Sequence, residues 1–279
     1  MAVAAFFDLD KTIIARSSTL AFSRAFFEGG LISRRSALRS AYAQLVFQRG
    51  GIDHARMEKM RAYLSSLSAG WDVQTVRDIV AETLHAIIDP LVYDEAVAKL
   101  EQHRNAGHDV VIVSTSGSEV VEPIGEMLGV DHVVATRLVE EAGLYTGEIG
   151  FYAYGPAKAD AIRELAATRG YDLVESYAYS DSETDLPMLE VVGHPHVVNP
   201  DRVLRRVAAE RDWPVLQWST QVGLRDRVGL RSRSVYLAVA GVAATGTAAA
   251  MAVWVWRRRD TGASGASAWT RRLPLPLGR

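Results

Sequence analysis

The chain reads as an α/β protein with a parallel sheet core, an inserted helical cap and one C-terminal transmembrane helix. Three observations lead there. Short apolar runs that end in polar residues recur at 2–7, 110–113 and 177–179. Such runs are the pattern of strands buried on both faces, and helical stretches alternate with them, as crossover connections between parallel strands require. Toward the C-terminus, residues 235–256 contain no charge and no proline, a run long enough for one membrane span.

Taken in order, residues 2–7 form the first strand; the run is too short and lacks the basic start of a secretory signal. Ser17 or Ser18 opens a helix closed by Gly29 and Gly30. Further helices over 33–48, 53–66 and 72–87 are bounded by serine, aspartate and glycine, residue types that cap helices or end them. These four helices, 15–89, form a cap between the first two core strands. A helix over 89–106 then feeds the strand that ends at Ser114. Next come a helix to Leu128, a strand at 133–136, a hairpin to Ile149 and a helix over 157–169. A strand leads to Asp181, a helix covers 185–191, a strand 196–198 and a last helix 200–210. The core is therefore Rossmann-like and made of 1–14 with 90–217. An Arg-rich linker, 218–234, precedes the span, and the Gly/Ser/Pro-rich tail 257–279 reads as disordered.

The net charge is −2 and the apolar content 48%. That composition suits a chain with a real core and gives no electrostatic case for nucleic acid. With no cysteine, disulfides and thiolate metal sites are excluded. Arg231 and Arg233 before the span, and Arg257 to Arg259 after it, leave its orientation open. With no export signal, residues 1–217 are expected in the cytoplasm. Tyr236, Trp254 and Trp256 suit the interfacial belt. A stripe of Ala240, Ala244, Ala248 and Ala252 would permit homodimer pairing through the helix.

The chemistry gathers at strand ends. Asp8 and Asp10 follow the first strand and would point to one side of it. Two carboxylates so close are tolerated if a cation sits between them or one is protonated. The second strand delivers Ser114, Thr115, Ser116 and Gly117. Lys158, one of only four lysines with Lys11, Lys59 and Lys99, stands just inside a helix that Pro156 would start. The third strand ends in Ser180 and Asp181, with Asp185 four residues on. His194 and His196 flank a proline and read as structural; His103 and His108 surround a helix end and read as exposed.

The ordered set D-L-D-K-T, V-S-T-S-G, Lys158 and S-D-S-E-T-D-L-P-M-L resembles the four motifs of the haloacid dehalogenase superfamily. The likeness is to its phosphoserine phosphatase-like branch and covers 1–217. Residues 135–138 with 145–147, and 197–201, resemble that branch too. The resemblance implies a phosphatase of phosphomonoesters that works through an aspartyl phosphate. Asp8 is the implied nucleophile and Asp10 the acid and base. Ser114, Thr115 and Lys158 would hold the phosphate. Asp8, Asp10, Asp181 and Asp185 would hold Mg²⁺, Asp10 through its main-chain carbonyl. An Asp at position 10 also favours phosphoryl transfer over dehalogenation, because halide leaves without an acid. Where phosphoserine phosphatases tend to carry a glutamate for the substrate amine, this chain has Ser17. The expected partner is therefore a phosphorylated small molecule or a lipid head group such as lysophosphatidate or phosphatidylglycerophosphate. Phosphoserine itself, and a membrane-tethered regulatory role without catalysis, stand behind these.

Overall fold

The first strand, β1 (Ala4–Phe7), sits at the centre of the sheet because all four of its residues are buried. Its side chains alternate between two cores. Ala5 and Phe7 pack with Ile112, Leu100 and Tyr179, while Ala4 and Phe6 pack with Val111, Ala178 and Leu204. The structure is a computed structural model that describes residues 1–32, 62 and 65–221. The predicted helices over 33–48 and most of 53–66, and the span at 235–256 with its flanks, lie outside the described residues. Among the described residues no helix is long and apolar enough to cross a membrane.

From β1 the chain passes through α1 (Ser18–Glu28) and α2 (Val73–Ile88), in the segment expected to form the cap. Asp72 caps α2 by accepting the main-chain N–H of Thr75 at 2.7 Å. Chain entry to the cap and exit from it are stitched together by main-chain bonds, Ala15 N–H to the Leu91 carbonyl at 2.8 Å and Tyr93 N–H to that of Ile13 at 3.0 Å. The core then runs through α3 (Asp94–Asn105), β2 (Asp109–Gly117), α4 (Ser118–Leu128), β3 (His132–Glu141), β4 (Leu144–Phe151), α5 (Pro156–Arg169), β5 (Tyr177–Ser180), α6 (Leu186–Glu190), β6 (His194–Val198), α7 (Arg202–Glu210) and β7 (Val215–Leu216).

The sheet has seven strands in the order β4-β3-β2-β1-β5-β6-β7. Every pairing is parallel except β3 with β4. The chain builds outward from β1 on one side through β2 and β3, then crosses to the other side at β5. The crevice at the carboxyl ends of β1 and β5 is therefore the point where strand order reverses, the place such sheets bind ligands.

Three expectations are corrected. The helix over 89–106 begins only at Asp94. A single 3₁₀ turn over Asp89–Leu91, held by Pro90, is followed by the extended hinge residues. The strand at 133–136 and the first arm of the hairpin are one strand, because β3 leaves the parallel sheet and continues into the antiparallel pair with β4. His103 is not exposed. It is buried, with Nε2 2.8 Å from the Tyr179 hydroxyl and Nδ1 3.0 Å from Nδ1 of His108. Around it, Phe7, Tyr179 and His196 stack in sequence, with ring centroids 4.3 and 4.9 Å apart.

The core also continues past residue 217. Asp94 N–H donates to the Thr220 carbonyl, Glu95 accepts the N–H groups of Ser219 and Thr220 at 3.1 Å, and Gln221 bridges to Tyr93.

Candidate active site

Asp8 is the first residue past β1, and its N–H is held by the Tyr179 carbonyl at 2.9 Å. Lys11 turns the chain back with φ of 64°, a left-handed conformation that is uncommon away from glycine. The loop therefore curls over the end of β1, and Asp10 is brought back against β2. Lys158 enters from the first turn of α5. Pro156 starts that helix, as read from the sequence, and Gly155 before it has φ of 54°. Only 1% of Lys158 is exposed.

The Lys158 ammonium lies 2.8 Å from Asp8 Oδ1, and 2.9 and 3.0 Å from the two carboxylate oxygens of Asp185. The Ser180 hydroxyl also donates to Asp185 Oδ2 at 2.7 Å. Asp181 stands at the end of β5, its loop fixed from behind by Asp201. That residue donates its N–H to the Asp181 carbonyl at 2.8 Å, accepts Glu183 N–H at 2.7 Å, and caps α7 through Val203 and Leu204 N–H.

Ser114 is buried, and its Oγ accepts the N–H of Ser116 at 3.2 Å, leaving its own proton to donate. Thr115 differs. Its hydroxyl donates to the Ala153 carbonyl at 2.9 Å, and its carbonyl accepts from Thr136 at 2.7 Å, so a phosphate contact from Thr115 falls to its main chain. Asp10 is gripped at both oxygens, Oδ1 by Ser18 N–H at 2.8 Å and Oδ2 by the Ser116 hydroxyl at 2.9 Å.

Charge is out of balance here. Four carboxylates face one buried ammonium. Burial pushes the Asp8 carboxyl up to about 7, against the pull of Lys158 and with a further push from Asp185 and Asp10. Burial also raises Asp10, opposed by its bonds from Ser18 and Ser116. It raises Asp181 well above the carboxylate range, helped by the charge of Asp8 and opposed by Lys11. Burial would lower Lys158, but Asp185 and Asp8 outweigh it and hold the amine protonated.

A hard divalent cation fits this donor set. Asp8, Asp181 and Asp185 offer only oxygen, and their mutual repulsion is what a 2+ charge would relieve. Among the described residues, Asp185 Oδ1 is buried with no hydrogen bond and lies 2.9 Å from the Lys158 ammonium. Among the described residues no three acidic or histidine side chains already converge as a metal cage.

The sequence singled out Asp8, Asp10, Ser114, Thr115, Lys158, Asp181 and Asp185; the fold brings all seven to one crevice, with the Thr115 hydroxyl turned to Ala153. The sequence named Ser18, Ser116, Ser180 and Asp201 without giving any of them a site role. Ser18 and Asp201 carried the signal of a helix start, and Ser116 and Ser180 that of a strand end.

A mostly parallel sheet with this lysine-carboxylate cluster at its switch point is the setting of a hydrolase site of the α/β class. The haloacid dehalogenase-like hydrolase profile matches residues 5–190, and the chain belongs to that family as an enzyme of the phosphatase type. It is 63% identical to the inhibition of morphological differentiation protein of Streptomyces azureus, over 92% of this chain and 94% of that one. It is 55% identical to a probable phosphatase of Mycobacterium tuberculosis, over 92% and 89%. It is 32% identical to a phosphoserine phosphatase of the same organism, over 77% and 70%. The expected placement in the phosphoserine phosphatase-like branch is borne out.

Proposed function

We propose that the protein hydrolyses phosphate monoesters with Mg²⁺, through a phosphoryl group carried on Asp8. The observation that supports this most directly is Lys158 held between Asp8 and Asp185 in a buried, carboxylate-rich crevice. With Oδ1 engaged by Lys158, Asp8 Oδ2 is the oxygen that attacks phosphorus, displacing the alkoxide. Asp10 protonates that alkoxide, then takes the proton from the water that opens the acyl phosphate. Lys158 and the Ser114 hydroxyl hold the phosphoryl oxygens. Asp8, Asp181 and the Asp10 carbonyl would hold Mg²⁺, with Asp185 direct or through water. When bound, the ion offsets the repulsion between an anionic nucleophile and an anionic ester.

On substrate, the described part of the cap speaks against an ammonium partner at the phosphoserine position. Ser17 stands there with a hydroxyl, and Glu28, the next acid toward the C-terminus, is at the far end of α1 paired with Arg24 at 2.8 Å. Small uncharged or anionic phosphomonoesters are the first reading. Lipid phosphates are the second, supported by the strap at 218–221 that Asn199, Glu95 and Tyr93 hold against the core. It leaves the core beside the cap hinge only a short run ahead of the apolar stretch at 235–256. Phosphate release by the full chain in mixed micelles, with glycerol 3-phosphate, O-phosphoserine and lysophosphatidate compared, separates these readings. Asp8→Asn is expected to abolish release on all three; full activity in that variant removes the mechanism.

A further inference from the structure

Ser116 is a buried hydroxyl at the active-site end of β2 that no step above uses. Between Ser114 and Gly117 the pairing of β2 with β3 shifts register, and Ser116 sits inside that irregular stretch. Its Oγ donates to Asp10 Oδ2 at 2.9 Å, accepts from the Ser18 hydroxyl at 2.8 Å and lies 3.3 Å from that of Thr19. Ser18 is wholly buried and also gives its N–H to Asp10 Oδ1. The acid is thus clamped from two directions. One clamp comes from the core strand. The other comes from the first turn of α1, the helix that opens the cap segment, and the two clamps are themselves hydrogen-bonded.

We infer that Ser116 is the positioning residue for proton delivery by Asp10, and that its bonds to Ser18 and Thr19 make this positioning depend on how α1 is seated. The reason is geometric. A carboxyl group held at one oxygen still swings about its Cβ–Cγ bond; held at both, it does not. Delivering a proton to a leaving oxygen requires an approach of about 3 Å, and a misplacement of 1 Å costs on the order of 10²-fold in rate. Ser116 and Asp10 are 106 residues apart in sequence, so the clamp exists only in the folded site.

The inference rests on Asp10 being the acid of the proposed reaction, and the test keeps the two apart. An alkyl phosphate needs a protonated leaving group, whereas p-nitrophenyl phosphate scarcely does. For Ser116→Ala, kcat/KM on glycerol 3-phosphate should fall at least about tenfold further than on p-nitrophenyl phosphate, with the thermal midpoint kept. Ser116→Thr, which retains the hydroxyl, should restore the ratio. Asp10→Asn should show the same bias, and the double variant should lose little more than Asp10→Asn alone, as residues acting as a unit do. Equal losses on both esters, or a bias confined to Asp10→Asn, overturn the role of Ser116 alone. No bias in either variant overturns the assignment of Asp10 as well.

Discussion

Replacing Lys158 by Met keeps the stem and removes the ammonium, leaving Asp8 and Asp185 buried against each other. Their side chains are 9% and 3% exposed, and that of Lys158 is 1% exposed. Removing one partner of a buried ion pair costs about 3–5 kcal/mol, because the remaining charge has neither water nor counter-ion. For a core of this size that corresponds to a thermal midpoint lower by roughly 6–20 °C. The loss should depend on pH with a definite sign. Asp8 is raised to about 7 from its ordinary 3.8 even with Lys158 present, and it rises further without it. A carboxyl raised in the folded state binds its proton more readily there than in the unfolded chain. Its contribution is fully favourable at low pH and is lost as pH rises through the folded value. The Lys158→Met deficit should therefore be greatest at pH 8 and shrink toward pH 5. Urea unfolding in chelator, at both pH values, measures it. A deficit under about 1 kcal/mol at pH 8, the size of an ordinary surface change, would refute the reasoning, as would equal deficits at both.

Three more expectations follow from the same geometry. Mg²⁺ should raise the thermal midpoint of the wild type, by about 2.7 kcal/mol of stability at a hundredfold excess over its dissociation constant; differential scanning calorimetry should show no such rise in Asp181→Asn. In Gly193→Ala the new Cβ would lie 1.7 Å from the Val174 carbonyl oxygen and 2.7 Å from its carbon. Both are backbone atoms that cannot give way, so a loss of about 3 kcal/mol or more is expected, and a wild-type denaturation midpoint would disprove the contact. Burial, with the charge of His108 next, lowers His103 to about 4 from 6.5. Here the unfolded chain binds the proton that the folded one refuses. Stability is therefore full above pH 6.5 and falls by about 1–3 kcal/mol as pH drops toward 4. The difference between wild type and His103→Gln should narrow over that range in urea titrations.

The strand ends were the legible part of this chain. Apolar runs stopping at Asp8, Ser114 and Asp181 mark both the sheet and the crevice, because a buried parallel strand must end where its polar residues reach the ligand. Lys158 was legible through Pro156, which starts its helix. The grip on Asp10 was not, since Ser116 depends on an irregular stretch of β2 that no periodicity encodes. Thr115 was assigned to phosphate through the resemblance, beside main-chain N–H groups, and its hydroxyl, which the sequence did not place, is turned to Ala153. His103 is a different kind of miss. Ala96, Leu100 and His103 lie on one buried face of α3 at helical spacing, so the position was written in the pattern and only the residue's polarity argued against it.

The strap at 218–221 has a practical consequence for anyone shortening this protein. Ending the chain at 217, where the motifs end, would remove Trp218, which Asn199 holds through both its N–H and its carbonyl. It would also strip Glu95 of its two amide donors and take a main-chain partner from Asp94. Those losses fall on Asp94, Glu95 and Asn199, beside the main-chain bonds that tie residues 13–15 to 91–93. A chain cut after Gln221 keeps every one of these contacts.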